Sequence, residues 1–482
     1  MIKKLSSMIV IFILALATAT PVFGDVPYRG FTYGYWGNPT PAPAAYVAVK
    51  SISARHISPE LGAFSMPQDV FVDRNNIIYL LDTGNNRIIV FDGDLNLLNI
   101  IDSFVMDGNL ETFNGPRGIF VTDNLDIYIA DTENRRVIAL DQEGNFLRIN
   151  EGPDHDVLED DFPFFPLRIN VDLAGRQFVI ARGVFEGIMR FDSRGRFTGY
   201  YGTIRVSVNP MDWFWRMMAT QEQRARQMLF IPTEFTGMSI DEYGFIFTTN
   251  VDTGLGNAVQ RLNPSGDDVL ANFTNQRISG TQNYREMGMF GGPSVFVDIT
   301  VRGNGMYTAL DSNRGRLYTY DSEGNLLYVF GGTGNVVGMQ RIPAAVAAID
   351  DRILVLDQLR GELTFFEPTE YGRLINEAIA LRYDGDEASA VEVWHRVLEL
   401  DQNYQLALVG IGKSLLAAGE NRAAMGYLRR GMNIDYYSVA FRRYRTELLR
   451  ANINWILIGL MVPFVLKSGY SMYKKRARGR QA

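Results

Sequence analysis

The chain has 482 residues, of which 46% are hydrophobic and 21% charged, a globular composition and not a disordered one. That length exceeds one ordinary core unless the core is built from repeats. A formal charge of −7 excludes the chain-wide basic field that gathers nucleic-acid phosphates, so no nucleic-acid partner is expected. The absence of cysteine excludes disulfides, thiol nucleophiles and thiolate metal sites.

The first 24 residues read as a signal peptide. Lys3 and Lys4 supply its positive region, Met8 to Ala19 its short apolar stretch, and Val22 and Gly24 small residues for cleavage before Asp25. An uncleaved anchor is the alternative, and it leaves the large middle of the chain on the same side. Residues 25–45 form a linker rich in proline and aromatics.

From residue 46 to 368 the chain repeats itself. Each unit opens on a proline or glycine turn and a short apolar strand, then a second strand, an Asp-rich turn and a third strand. The second half of the unit reads IIYLLDTGNNRIIVFD from Ile77 and DIYIADTENRRVIALD from Asp126. Later copies read MYTALDSNRGRLYTYD from Met306 and RILVLDQLRGELTFFE from Arg352, with weaker ones from Gln177 and Phe245. Opening prolines fall at Pro67, Pro116, Pro166, Pro293 and Pro343, with the fourth copy aligned near Gly237. Apolar runs of Ile, Val, Tyr and Phe fit buried and half-buried strands, and turns such as Thr83-Gly84-Asn85-Asn86 supply the positive-φ positions of tight connections. Four short strands in about 40–50 residues predict propeller blades.

The stretch Asp82 to Asp92 (DTGNNRIIVFD) resembles the NHL repeat, and the resemblance covers about Pro67 to Glu367. It implies a mainly β chain, a six-bladed β-propeller of gluconolactonase-like shape. The sixth copy stops at Glu367 without an outer strand, so Tyr46 to Ile57 is predicted to supply it and leave no exposed edge. Residues 203–231 form an insertion with helical spacing, in which Trp213, Phe214 and Trp215 are candidate partner or lid contacts.

From Gly372 the period changes from 2 to 3.6. Two hairpins align at a spacing of 34 residues: Leu374 with Leu408, Gly385 with Gly419, Ala390 with Ala424, and Trp394 with Leu428. Residues 370–450 thus resemble tetratricopeptide repeats, which implies an assembly surface, with a rigid stalk as the alternative. Residues 453–473 are predicted to span a membrane, with Trp455, Tyr470 and Tyr473 at its interfaces and a basic tail, 474–482, in the cytoplasm.

Chemistry is sparse. The three histidines, His56, His155 and His395, show no metal-ligand spacing. Some NHL propellers are lyases with histidine-bound zinc, and this chain lacks the residues for that. No G-x-S-x-G elbow is present. Propeller lactonases of the gluconolactonase kind hold a divalent ion with Glu, Asn and Asp in the central channel. Here the positions after each opening turn, including Ser294-Val295 for the fifth copy, give one acid and two arginines: Asp69, Arg117 and Arg168. That set suits a small anionic or sugar-like ligand better than a cation, and mutual pairing of the three is the plainer alternative. Asp82, Arg87, Asp131, Arg136, Asp311 and Arg316 recur in phase and read as structural. No catalytic residue, metal site or cofactor is expected.

The expected function is a single-pass membrane protein, its bulk extracytoplasmic. The propeller would recognise a protein or small ligand, and the helices a partner. The alternatives are a metal-dependent propeller lactonase or hydrolase, and an accessory subunit of a membrane transport or secretion complex.

Overall fold

The computed structural model describes residues 26–34, 38–153, 162, 164–202, 234–251, 258–270, 280–281 and 293–478. The chain divides after Arg373 into two compact units. The first is mainly β and builds six blades, each a small antiparallel sheet.

Blade 1 is β4 (Asp69–Val72), β5 (Ile78–Asp82), β6 (Arg87–Phe91) and β7 (Leu97–Ile101), paired in that order. Blade 2 is β10 (Gly118–Val121) to β13 (Phe146–Asn150), preceded by the hairpin β8–β9 (Ser103–Met106, Asn109–Thr112). Blade 3 is β14 (Pro166–Val171) to β17 (Phe197–Tyr201), and blade 4 begins with β18 (Phe235–Ile240), β19 (Ile246–Asn250) and β20 (Val259–Leu262). Blade 5 runs from β21 (Phe296–Val301) to β24 (Leu326–Gly331). Blade 6 is β25 (Pro343–Ile349), β26 (Arg352–Asp357) and β27 (Glu362–Pro368), with β3 (Tyr46–Ile52) as its fourth strand.

In blades 1 and 2 the Asp-Thr turn after the second strand holds the blade to its neighbour. Asp82 is fully buried and accepts from the Ser65 N–H at 2.7 Å, from Asn85 Nδ2 at 2.8 Å and from Arg87 Nε at 2.8 Å. Asp131 repeats this with Asn114, Asn134 and Arg136. The following threonine reaches the next blade: Thr83 Oγ1 donates to the Pro116 carbonyl and Thr132 Oγ1 to that of Pro166, each at 2.7 Å. A buried carboxylate with its bonds filled is tolerated where a bare one is not. In blade 5 Asp311 turns to Ser294 Oγ at 2.7 Å, and Arg316 lies over the Phe31 ring.

The ring closes by β3 pairing antiparallel with β27, from Leu363 opposite Ile52 to Pro368 opposite Tyr46. First and last segments thus share one sheet, and the edge of β27 is covered. His56 stands beyond that strand, in the one-turn helix Ala54–Ile57. Residues 25–45, read above as a linker, contain β1 (Phe31–Tyr33) and β2 (Pro39–Pro41), a hairpin laid on the outer strand of blade 5 with Phe31 opposite Val329. Apolar residues between blades form the cores, as with Ile78, Leu80, Ile89 and Phe91 against Leu354, Leu356 and Phe365.

The second unit is helical. α1 (Glu370–Tyr383) crosses the boundary and is followed by α2 (Glu387–Leu400), α3 (Gln405–Ala417), α4 (Asn421–Arg430) and α5 (Ile434–Arg478). The 34-residue spacing appears as two helical hairpins: Gly385 and Gly419 end α1 and α3 with φ of 83° and 82°, and Ala390 and Ala424 are fully buried. Gly410 lets Trp394 approach, since a Cβ there would stand 2.9 Å from Trp394 Nε1. Within α5, Ile434–Met472 is long and apolar enough to cross a membrane. Trp455, Leu460, Phe464 and Leu466 are each at least 68% exposed.

Candidate ligand-binding channel

The six first strands surround the axis of the ring, and their registers against the second strands set the layers of the channel. Asp69, Gly118, Arg168, Gly237, Asp298 and Ala345 stand opposite Leu81, Ala130, Ile180, Thr249, Leu310 and Leu356, and so form one layer. Side chains two residues further point the same way. The second layer is therefore Phe71, Phe120, Asn170, Ser239, Thr300 and Ala347.

Arg168 caps the channel. Its Nη1 lies 3.3 Å from Asp69 Oδ2 and donates to the Arg117 carbonyl at 2.7 Å, and Nη2 donates to the Ala344 carbonyl of blade 6 at 3.3 Å. One side chain from blade 3 thus reaches blades 1, 2 and 6. Asp69 also accepts from the Ile119 N–H at 3.0 Å, and Asp298 from the Val346 N–H at 2.8 Å. Each aspartate ties its blade to the next through a backbone amide that neighbouring first strands leave unpaired. Gly118 is required here: a Cβ on it would stand 2.7 Å from the Leu167 carbonyl oxygen.

Burial sets the electrostatics. It raises both carboxyls, Asp298 to about 7, with Asp69 adding to that rise and Arg168 opposing it. Burial also works against the Arg168 charge, but the two aspartates outweigh it and hold the guanidinium protonated.

The structure therefore brings Asp69 and Arg168 together. Arg117 offers its carbonyl to the cap, while its own guanidinium is depressed by burial and by the nearby charge of Arg182. Trp213, Phe214 and Trp215 lie outside the described residues. Asp298 escapes proline spacing because Pro293 does not open the fifth blade. Phe296 holds that place, opposite Asp311 as Pro343 is opposite Asp357, with the same register shift two residues on. Ser294 and Val295 instead bind Asp311. Counting back from Leu310 to the strand before it places Asp298 in the ring.

Below the cap runs a cavity of about 720 Å³, from the Asp69, Arg168 and Asp298 layer to the turns that follow the first strands. A divalent ion of the lactonase kind does not fit the capped layer. A fixed cation already stands beside the carboxylates, and Gly118, Gly237 and Ala345 bring no side-chain oxygen. Among the described residues no group of three or more histidines and carboxylates is placed to hold a metal ion.

The NHL repeat family matches residues 64–91 and 113–140. No curated protein matches the sequence. Solved structures similar to the chain include virginiamycin B lyase from Staphylococcus aureus, at 10% identity over 67% of this chain and 99% of that one, with a TM-score of 0.43. A streptogramin B lyase matches at 10% identity over 63% and 94%, with a TM-score of 0.41. A gluconolactonase-like protein matches at 12% over 71% and 98%, with a TM-score of 0.39. The matched segments are the first three strands of blades 1 and 2 with their Asp-Thr turns, and the chain carries NHL repeats in a six-bladed β-propeller.

Proposed function

We propose that the protein is a membrane-anchored, extracytoplasmic binding and scaffolding protein, with the propeller as its recognition module and the tetratricopeptide-like helices as its assembly surface. The observation that carries this reading is the capped channel: Arg168 fills the axial place where a propeller hydrolase needs an open cation, and leaves a closed-ended pocket suited to binding. The exposed apolar face of α5 supports the anchor, since such a surface needs lipid or another helix to cover it. The basic residues after it, and the signal-like N-terminus, favour a cytoplasmic tail and an outside propeller.

Topology is tested on the full chain, which has no native cysteine. A membrane-impermeant maleimide should label Glu143→Cys in intact spheroplasts and Gln481→Cys only after permeabilisation. The reverse pattern would sink the extracytoplasmic assignment. Metal analysis of the purified protein, with melting curves in Ca²⁺, Mn²⁺ and Zn²⁺, tests the rest. A stoichiometric ion that raises the melting temperature would move the reading to the lactonase alternative.

A further inference from the structure

We propose that the cavity below the Arg168 cap binds a neutral, polyhydroxylated ring of mono- to disaccharide size, admitted from the end formed by the turns after the first strands. The proposal rests on the reading of the propeller as a binding module and names its ligand class.

The cavity has two unlike walls. Phe71 and Phe120, on adjacent blades 1 and 2, have ring centroids 5.0 Å apart, and Phe71 is half-buried with part of its surface open to the cavity. Asn170, Ser239 and Thr300, on blades 3 to 5, make the facing wall in the same layer. A ring with an apolar C–H face and a hydroxylated rim matches that division.

Asn170 supplies an independent pointer. Its side chain is only 5% exposed, yet its Nδ2 has no hydrogen-bond partner, and an orphaned buried donor costs about 1–3 kcal/mol. Turned into the cavity that Asn170 lines, the amide donates to a ligand hydroxyl oxygen. Ser239 Oγ accepts from the Val301 N–H at 3.2 Å, which leaves its own hydrogen to donate.

Charge selects for neutrality. Toward the mouth the lining carries six carboxylates, Asp73, Asp123, Asp126, Asp172, Asp241 and Glu242, against the two arginines Arg74 and Arg148. Arg176 and Arg261 pair with Asp172 at 2.7 Å and Asp241 at 3.5 Å. An anion meets an excess of carboxylate on the way in. A cation that passes it ends against the Arg168 guanidinium. A neutral polyol meets acceptors at the mouth and donors within.

The test uses the full-length protein in a non-glycosidic detergent, with glucose, galactose, N-acetylglucosamine, cellobiose and lactose as probes and glucuronate and choline as charged comparators. Calorimetry and saturation-transfer NMR should show saturable binding of at least one neutral sugar. Phe71→Ala and Asn170→Ala should each weaken it tenfold or more, and Thr300→Ala, at a half-buried position, serves should either fail to fold. Binding that survives all three substitutions, or no neutral sugar bound, would overturn the proposal. Choline or glucuronate binding that is lost in Phe71→Ala would overturn the neutral class while sparing the binding-module reading. A silent channel on a propeller that still retrieves a protein partner would do the same.

Discussion

Arg302 Nη2 donates to Tyr46 Oη at 2.7 Å, joining the turn of blade 5 to the first residue of the strand that closes blade 6. Tyr46 is fully buried, stacks on Phe330 at 4.7 Å, and passes a hydrogen bond to the Asp351 carbonyl at 3.0 Å. The ring is therefore locked where its two ends meet. Tyr46→Ala is expected to lower stability by about 3–5 kcal/mol. Tyr46→Phe, which keeps the ring but strands a guanidinium hydrogen, should cost about 1–3 kcal/mol. Denaturant unfolding of both variants checks the order, and equal losses would show that the hydroxyl alone matters.

Removing Arg168 leaves Asp69 and Asp298 buried without their counter-charge. Arg168→Met should therefore cost about 3–5 kcal/mol at pH 8. Part of that loss should return at pH 5, where the two acids take up protons. Melting curves at the two pH values test this, and a loss independent of pH would mean that Arg168 acts through its carbonyl contacts alone.

Asp298 has its own signature. Its folded carboxyl is raised by burial to about 7, above the ordinary 3.8. Between those values the folded state holds the proton more tightly than the unfolded chain, so its contribution to stability falls as pH rises from about 4 to 7. Asp298→Asn keeps an acceptor for the Val346 N–H and removes the titration. The stability-versus-pH curve of the variant should be flatter by about 3–4 kcal/mol over that window. An unchanged slope would assign the titration elsewhere.

The mainly β fold and its blade count were legible because each copy writes its own turn chemistry. Asp82 and Asp131 sit in nearly the same words, and both do the same structural work. The channel was only half legible. Asp69 and Arg168 follow Pro67 and Pro166 by two residues, so proline spacing finds them. Asp298 follows Pro293 by five, and only the strand register, shifted between Phe296 and Asp298, brings it into the ring. The aromatic and polar walls were illegible for a different reason. Phe71 and Asn170 occupy equivalent positions on blades 1 and 3, and a repeat alignment treats their difference as noise.

The buried Asp of the repeated turn should matter more than the threonine after it. Asp82→Ala strips partners from the Ser65 N–H, Asn85 and Arg87 at once, and should cost about 2–4 kcal/mol. Thr83→Val loses only the bond to the Pro116 carbonyl and keeps the shape, at about 1–2 kcal/mol. Asp131→Ala should match Asp82→Ala, since its partners are equivalent. Chemical unfolding of the three gives the ranking, and a mild Asp131→Ala would show that blade 2 is held by other means.

The apolar part of α5 contributes no packing to the rest of the chain: the window that qualifies as a span is 0% buried. Its exposed Trp455, Leu460 and Phe464 gain only from a surrounding apolar phase. A chain ended after Asn452 should therefore leave the membrane fraction for the soluble one, with the melting temperature of the propeller unchanged. Pro463 lies inside this helix and removes one backbone hydrogen bond, a cost that a neighbouring chain or a local bend absorbs within lipid. Carbonate extraction of membranes, followed by calorimetry of whatever is released, reads both quantities. A truncated chain that stays with the membrane would place the anchor before residue 453. One that is released but melts lower would show that the helix supports the fold as well as holding it to the bilayer.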